Sequence, residues 1–318
     1  MAAERLTPEL FAAEVRRLAG PQFGNETPMA LAVSGGPDSL ALLWLAARAF
    51  PQQAHVLSVD HGLRAEAAAE CAMVAMHARS MGLPHTSFTL AMQKGASLQA
   101  EARGARYGAM GNWCRANGIG LLLTAHHLDD QAETVLLRLA RGSGPGGLAG
   151  IRRSACIAGV CVLRPLLGWR RAELAEVVRK AGWEAVSDPS NSDPRYDRTA
   201  ARALLAATDW LHPERLAAST EHLAEAEAAL GWAAERAWES RVVEDGDALL
   251  IDPEALPAEL RRRLLARAVE QLGVPAEGPP LARLLATLDG GGTATLSGVQ
   301  ARYVAGRWQL SRAAPRRH

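Results

Sequence analysis

The stretch Leu31-Ala32-Val33-Ser34-Gly35-Gly36-Pro37-Asp38-Ser39 decides the fold. Apolar residues end in a turn rich in serine and glycine, and a helix-forming segment follows. Such a turn exposes backbone N–H groups beside a helix N-terminus, where hydrogen bonds and the helix dipole favour anions. Glycine lets the backbone approach an anion without a Cβ clash. We therefore predict a phosphate-binding loop formed by Ser34, Gly35, Gly36, Pro37 and Ser39.

Asp38 is the unusual member of this loop, because a carboxylate repels a bare phosphate. Its position is explained if it holds a Mg²⁺ ion that bridges phosphate groups. No lysine follows the glycines, so the loop does not fit the Walker A pattern. The plainer alternative is a tight turn in which Asp38 or Ser39 caps the helix.

Short apolar runs alternate with segments of helical period on both sides of the loop. The runs predict strands at residues 30–34, 55–60, 85–90, 120–125 and 160–166. Helices are predicted at residues 38–50, 65–81, 97–117, 129–141 and 169–181. This alternation is typical of an α/β fold with a doubly wound, parallel, five-stranded sheet.

The composition changes after residues 187–194, which are rich in Asp, Asn, Pro and Ser. We place a domain boundary near residue 203, with a catalytic domain at 1–203 and a second domain at 204–318. Helical periods at 213–241 and 256–272 predict a mainly helical second domain. Alternating residues at 293–296 and 301–310 predict two or three short strands at its end.

Charge, cysteine spacing and hydropathy argue against an overall basic protein, a paired-cysteine site and a membrane span. A net charge of +1 gives no overall basic bias, so contact with nucleic acid requires local arginine patches. Candidates are Arg261, Arg262 and Arg263, with Arg302, Arg307, Arg312, Arg316 and Arg317 in the tail. The four cysteines form no Cys-x-x-Cys pair, and no apolar run approaches the roughly 20 residues of a membrane span. We expect a cytoplasmic protein without a membrane partner.

A group of acidic residues follows the strand at 120–125. Asp129 and Glu133 are four residues apart on one predicted helix face, and Asp130 and Thr134 form a neighbouring pair. The carboxyl edge of an α/β sheet is where ligands bind, so these carboxylates are candidates for Mg²⁺ or a substrate ammonium group. Acidic residues also complement a helix dipole, and histidines such as His127 are often structural.

The run from Gly142 to Gly147 satisfies the pattern G-x-G-x-x-G. It follows a predicted helix instead of a strand, and Pro145 interrupts it. We therefore predict a loop that ends a helix, not a dinucleotide site.

These motifs carry a family resemblance over roughly residues 29–202. The run Ser34-Gly35-Gly36-Pro37-Asp38-Ser39 resembles the loop of the PP-loop, or N-type, ATP pyrophosphatases. Residues 126–134, with Arg138 and residues 141–151, are similar to the signature of tRNA(Ile)-lysidine synthetases. Residues 59–64, 101–107 and 164–167 echo the same family. One motif departs from it: the family's Arg-Asn-x-x-Arg reads Arg198-Thr199-Ala200-Ala201-Arg202, and the preceding residues 188–191 also suit an Asx-turn linker.

The resemblance implies that a tRNA cytidine attacks the α-phosphate of ATP, and that free L-lysine then displaces AMP to give lysidine. The tRNA would be tRNA(Ile) with a CAU anticodon, and ATP would be used with Mg²⁺. Implied catalytic residues are Asp38, which would also hold the metal, Asp130, Glu133 and Arg198. Asp60 and His61 would join the loop in binding ATP. The implied tRNA or substrate contacts are Arg103, Arg106, Tyr107, His127 and Arg202.

Two other functions remain at this stage. A PP-loop tRNA thiolase would keep adenylation but deliver sulfur, and such enzymes rely on paired cysteines. A regulatory module would bind ATP without cleaving it, and would not need the clustered carboxylates. The sequence leaves open whether the chain forms a homodimer.

Overall fold

The computed structural model describes residues 6–60, 67–90, 98–186, 197–276 and 278–313. The chain divides into two compact units, residues 1–224 and 225–318. The division lies within one long helix, and the domain boundary near residue 203 stays a prediction. Across the described ranges, no helix is long and apolar enough to cross a membrane.

The first unit contains a six-stranded sheet. Its strands are β1 (Met29–Ala32), β2 (Ala54–Asp60), β3 (His85–Thr89), β4 (Leu121–Leu123), β5 (Ser154–Ile157) and β6 (Val160–Leu163). The spatial order is β3-β2-β1-β4-β6-β5, in which the first five strands are parallel and β5 is antiparallel to β6. The five predicted strands and the α/β class are confirmed, and β5 is an unpredicted edge strand.

Helices connect these strands. They are α1 (Pro8–Ala19), α2 (Pro37–Ala49), α3 (Ala67–Ser80), α4 (Leu98–Ala116), α5 (Leu128–Ala140), the short α6 (Pro145–Leu148), α7 (Arg171–Lys180), α8 (Asp197–Ala207) and α9 (Pro213–Arg241), in which the division between the units falls. The sequence did not predict α1, α6 or α8. Helix α1 starts where the Thr7 side chain accepts a hydrogen bond from the Leu10 amide, and it buries Phe11 and Val15.

Alternate residues of the parallel strands face two separate cores, as expected for a doubly wound sheet. Leu31 and Leu163 join the core that includes residues of α1, α2 and α7. Ala30 and Val162 join the core formed with α4. Full burial of such an aliphatic side chain stabilises the fold by about 1.5–3 kcal/mol.

The position of β1 locates the crevice at the carboxyl edge of the sheet. The chain leaves β1 toward β2 on one side, and β4 lies on its other side. Loops after β1 and β4 therefore separate at a topological switch point, where α/β proteins bind ligands. The phosphate loop follows β1, and the acidic segment follows β4.

The second unit has its own sheet and core. The strands β7 (Val242–Asp245), β8 (Ala248–Ile251), β9 (Thr293–Leu296), β10 (Val299–Val304) and β11 (Arg307–Arg312) form an antiparallel sheet in the order β7-β8-β11-β10-β9. Helices α10 (Ala258–Gln271) and α11 (Gly278–Asp289) supply Leu265 and Leu288 to a core around the fully buried Trp308. A helical unit ending in strands was predicted; β7, β8 and α11 were not.

Candidate active site

The phosphate loop is a defined turn between β1 and α2. Ser39 organises it: its hydroxyl accepts the Ser34 amide at 3.1 Å and donates to the Gly36 carbonyl at 2.9 Å. Gly35 has a φ of +88°, which favours glycine, and a Cβ there would lie 3.0 Å from Met73 Cε. Gly36 is the N-cap of α2, and no side chain caps the helix. The capping alternative for Asp38 and Ser39 is therefore wrong, and no side chain among the described residues accepts a hydrogen bond from the first N–H groups of α2.

Asp38 lies at the start of α2 with one oxygen partnered and one not. Its Oδ2 is 3.5 Å from Nε2 of His127. Its Oδ1 is buried and accepts no hydrogen bond within the described residues. Arg171 Nε approaches this oxygen only to 4.0 Å, which is too long for a hydrogen bond. A buried carboxylate oxygen without a donor is costly, so this atom is suited to a ligand or cation.

His127 links the phosphate loop to α5. It is the N-cap of α5: its Nδ1 accepts the Asp130 amide at 3.3 Å, and Asp130 Oδ2 accepts the His127 amide at 3.2 Å. In the neutral ring the proton then sits on Nε2, which faces Asp38 and Asp130. Burial lowers the pKa of His127, but the hydrogen bond with Asp38 and the charges of Asp130, Asp38 and Asp129 raise it overall. A second proton, on Nδ1, would strengthen the ion pairs of His127 with these aspartates. It would also remove the acceptor that caps α5.

Asp129 is fully engaged in joining α5 to α7. Its Oδ1 accepts Arg170 Nε at 3.0 Å, and its Oδ2 accepts the Arg171 amide at 2.7 Å. Burial raises the pKa of Asp129, but the hydrogen bonds from Arg170 and Arg171 lower it overall. These contacts make Asp129 an anchor between two helices.

Glu133 is buried behind the cleft, with an exposed fraction of 1%. Its Oε1 accepts Arg202 Nε at 2.8 Å, which ties α5 to α8. Its Oε2 has no hydrogen-bond partner in the described structure. Glu133 therefore positions Arg202, which lines the cleft.

Four arginines from three elements, α4, α8 and the end of β6, lie near His126. Arg103 and Arg106 lie over the ring of Tyr107, with Cζ atoms 5.3 and 5.6 Å from its centroid. Burial, followed by the charges of Arg164, Arg103, Arg198 and Arg106, lowers the pKa of His126 well below its usual value. His126 is therefore neutral near neutral pH, and its Nδ1 lies 2.9 Å from the Thr124 hydroxyl.

Arg164 is the member of this cluster that sequence reasoning missed as a site residue. Its exposed fraction is 4%, its Nη1 donates to the Arg152 carbonyl at 2.6 Å, and its Nε has no partner in the part of the chain that the structure describes. Burial lowers the pKa of Arg164, although Tyr107 partly offsets the effect. The signal in the sequence was an arginine directly after a buried strand.

A cleft of about 1160 Å³ in the first unit is lined by many of these groups, but not by Asp129 or Arg164. The predicted residues that line it are Ser34, Gly36, Pro37, Asp38, Ser39, Arg103, Arg106, Tyr107, His127, Asp130, Arg198 and Arg202. The lining atoms do not include those of Gly35, Glu133 or Asp60, although Gly35 belongs to the loop and Asp60 ends β2. His61 lies outside the described residues, as do residues 188–196 of the last motif.

The glycine-rich run 142–147 lies after α5 and includes the first three residues of α6, so it follows a helix as predicted. Arg138 of α5 donates to the carbonyls of Gly147 and Gly150, the latter at 2.9 Å. Gln131 adds two hydrogen bonds to the backbone of Ile151, at 3.0 and 2.5 Å. The loop is thus fastened to α5 and does not adopt the strand-to-helix setting of a dinucleotide site.

Comparison with known proteins agrees with this geometry. The family model described as a PP-loop domain matches residues 9–208. A tRNA(Ile)-lysidine synthase from Novosphingobium aromaticivorans is 50% identical over 288 residues, which cover 89% of this chain and 88% of that protein. The tRNA(Ile)-lysidine synthase from Zymomonas mobilis is 42% identical, covering 91% and 89%. The chain belongs to the tRNA(Ile)-lysidine synthase family.

A solved structure outside the tRNA(Ile)-lysidine synthase family shares the fold. The U34-tRNA thiolase NcsA from Methanococcus maripaludis aligns with a TM-score of 0.56 and 17% identity, covering 68% of this chain and 79% of that one. At that identity the likeness extends to the fold alone. The thiolase alternative therefore has a distant structural neighbour, whereas the synthase family has relatives over most of the chain.

The donor set of this family member fits a hard cation held with phosphate. Within the described ranges, no group of three or more His, Cys, Asp or Glu side chains is arranged to hold a metal ion. Mg²⁺ usually binds through one or two carboxylates together with substrate phosphates and water. The unpartnered Oδ1 of Asp38 beside the phosphate loop suits that arrangement.

Proposed function

We propose that the chain uses ATP to adenylate the wobble cytidine of tRNA(Ile) with a CAU anticodon, and that free L-lysine then replaces the adenylate. One observation carries the proposal. A single cleft is lined by the phosphate loop, in which one carboxylate oxygen has no partner among the described residues, and by arginines of α4 and α8 whose charges act on His126. The two charge types suit a nucleotide phosphate with its metal and a nucleic-acid backbone.

In the first step, the O2 atom of the cytidine attacks the α-phosphorus and pyrophosphate leaves. The amides of the phosphate loop and the start of α2 bind the departing phosphates. Mg²⁺ bound at Asp38 would neutralise charge on them. Arg198 lines the same cleft from α8 and adds a fixed positive charge.

In the second step, the lysine ε-amine attacks C2 of the base and AMP leaves. The amine has an ordinary pKa of about 10.4, so its ammonium form must first lose a proton. Asp130 lines the cleft, and its Oδ2 lies 3.6 Å from Nε2 of His127. A carboxylate that accepts the amine proton there therefore has an imidazole ring beside it. Glu133 does not line the cleft, and we therefore assign the ammonium to Asp130 and the orientation of Arg202 to Glu133.

The anticodon base must leave its stack to reach this chemistry. Unstacked bases are commonly held on aromatic rings or guanidinium planes. Tyr107 is 3% exposed, so its ring is not free to stack on a base, whereas Arg103 is exposed above it. We assign base stacking to the arginines and their support to Tyr107. Since the substrate is a tRNA, the proposal also places the protein in the cytoplasm.

A labelled-lysine assay tests the proposal. The protein is incubated with ATP, Mg²⁺ and radiolabelled lysine, with or without tRNA(Ile) bearing a CAU anticodon. We expect label in the tRNA together with AMP and pyrophosphate. Incorporation of sulfur from a donor without lysine would favour the thiolase. ATP binding without pyrophosphate release would favour the regulatory module, and formation of ADP would contradict attack at the α-phosphorus.

A further inference from the structure

The β5–β6 hairpin brings together two thiols that the sequence separates by four residues. The register of the strands places Cys156 directly opposite Cys161. The turn between them is formed by Ala158 and Gly159, which both have positive φ, at 51° and 75°. This is the two-residue turn that matches strand twist in tight hairpins. Opposed residues of a hairpin share one face, so both side chains lie on the same side of the sheet.

The backbone hydrogen bonds identify the kind of pair. The Cys161 amide points away from β5 and donates to the Gly120 carbonyl beside β4, at 3.0 Å. The Arg164 amide instead donates across the hairpin to Arg153, at 2.9 Å. Because these directions alternate along β6, Cys156 and Cys161 form a non-hydrogen-bonded pair. The Cα atoms of such pairs lie about 4.5 Å apart, within the range of roughly 4.4–6.8 Å that a disulfide spans.

The two thiols differ in exposure. Redox-sensitive pairs often combine a solvent-accessible cysteine with a neighbouring cysteine that completes the disulfide. Cys156 is exposed on the edge strand, and Cys161 is half-buried against the core on that face. Burial raises the pKa of Cys161, and the nearby Cys156 raises it further, as expected for close thiols. Neither residue lines the catalytic cleft. Cys114 is buried on α4, and burial raises the pKa of its thiol to about 11, so Cys114 is unreactive.

We propose that Cys156 and Cys161 form a redox-responsive dithiol that peroxide oxidises to an intramolecular disulfide. The Cys156 sulfur attacks one peroxide oxygen, the O–O bond breaks, and sulfenic acid and one water form. The Cys161 sulfur then attacks the sulfenic sulfur, and a second water leaves as the S–S bond forms. Each sulfur loses one electron, and the two peroxide oxygens gain both. A thiol reductant returns the disulfide to the two thiols by exchange and is itself oxidised to a disulfide.

The bridge would restrain the hairpin that carries Arg164. Arg164 follows β6 directly and donates to the carbonyl of Arg152, two residues before β5. The amides of Val162 and Arg164 face β5, so a covalent link between the strands should slow their exchange with solvent. The modification site is thus outside the cleft but on the hairpin that carries Arg164, one of the arginines whose charge acts on His126.

Peptide mapping of the full-length protein tests this site. No lysine or arginine lies between Ser154 and Leu163, so trypsin leaves both thiols in one peptide. After hydrogen peroxide and alkylation, we expect this peptide to lose the mass of two hydrogen atoms and to resist alkylation. Dithiothreitol should restore two alkylatable thiols. Cys71→Ser is the matched control and should keep the mass loss, whereas Cys156→Ser and Cys161→Ser should abolish it.

Three results would overturn the proposal. One is a peptide that gains oxygen atoms without losing hydrogens. Another is a disulfide-linked dimer on a non-reducing gel in place of the internal bridge. The third is persistence of the mass loss in Cys161→Ser. Cys161→Ala provides a second, apolar replacement for this half-buried position, and circular dichroism checks that each variant is folded.

Discussion

Three of the arginines that line the cleft differ from those of α10 in their ion pairs, whereas Arg202 and Arg141, which also line the cleft, pair with Glu133 and Asp197. Arg103, Arg106 and Arg198 form no ion pair with a carboxylate among the described residues. On α10, by contrast, each arginine of the triple run faces an acid. Arg261 pairs with Asp289 at 2.6 Å, Arg262 with Glu259 at 2.7 Å, and Arg263 with Glu259 at 2.9 Å and Glu227 at 2.7 Å.

This difference distinguishes arginines that are available to bind an anion from arginines that already pair with a carboxylate. A guanidinium that already has a carboxylate gains less from a phosphate, because the existing pair must first be broken. The run at 261–263 is the densest arginine cluster in the sequence, yet its local charge is largely balanced by acids. The three unpaired arginines of the cleft are dispersed in the sequence, and their positive charges help to lower the pKa of His126.

The largest effect is expected at Asp38, which belongs to the phosphate loop and has one carboxylate oxygen without a hydrogen-bond partner among the described residues. Asp38→Asn should reduce pyrophosphate release by at least about 100-fold, because a fixed charge at the transferring phosphate is lost. Rates are compared at saturating ATP and Mg²⁺, with circular dichroism as the check on folding. Turnover equal to that of the unmodified protein would contradict the assignment of Asp38 to the metal.

The next effect concerns the unpaired arginines themselves. Arg106→Ala should weaken tRNA binding by about 10-fold and lower the dependence of affinity on salt, since one phosphate or base contact is lost. Filter binding at several salt concentrations measures both quantities. Arg48→Ala is the matched control because Arg48 packs on Trp44 and does not line the cleft. Equal losses of tRNA affinity in Arg106→Ala and Arg48→Ala would contradict a specific role for the cleft arginines.

A paired charge inside the first unit should affect stability. Asp129→Asn should lower the free energy of unfolding by about 2 kcal/mol at neutral pH, because charged hydrogen bonds to Arg170 and Arg171 are weakened. Asp129 has a lowered pKa in the folded state, so its contribution is present above the unfolded value of about 3.9 and is lost as pH falls. Urea unfolding should show the difference shrinking below about pH 4, whereas a constant difference would contradict the ion pair.

The smallest effect is expected on α10. Arg262→Ala should change tRNA affinity less than about 2-fold and unfolding free energy by less than about 1 kcal/mol, because its pair with Glu259 is partly exposed. The same filter-binding series used for Arg106→Ala gives the comparison. A loss as large as that of Arg106→Ala would show that pairing does not determine which arginines bind tRNA.

Much of the fold was predictable because its signals are local. Four of the parallel strands are short apolar runs, and the phosphate loop is marked by adjacent glycines, so these could be placed from the sequence. Strand β5 was missed because its four residues are partly exposed at an edge and its apolar run is only Ala155 to Ile157. Helix α11 was missed because Pro279 and Pro280 suggest a break, although proline is tolerated in the first turn of a helix.

Most of the predicted site residues line one cleft, but the sequence did not indicate how they pair with one another. His127 and Asp130 are three residues apart, so a capping box could be inferred from spacing. The partners of Glu133 and Arg261 lie 69 and 28 residues away, and spacing carries no such information. The opposed thiols of the β5–β6 hairpin had a signal in the turn at Ala158-Gly159, which the absence of a Cys-x-x-Cys pattern obscured.

The antiparallel strand β5 also limits the addition of strands from other chains at this edge of the sheet. A parallel edge with a long row of open amides and carbonyls invites another chain to add a strand. Here the chain folds back on itself after four residues, so the sheet ends in a strand too short to serve as a template. The hairpin therefore guards against edge-to-edge aggregation while it carries its two thiols.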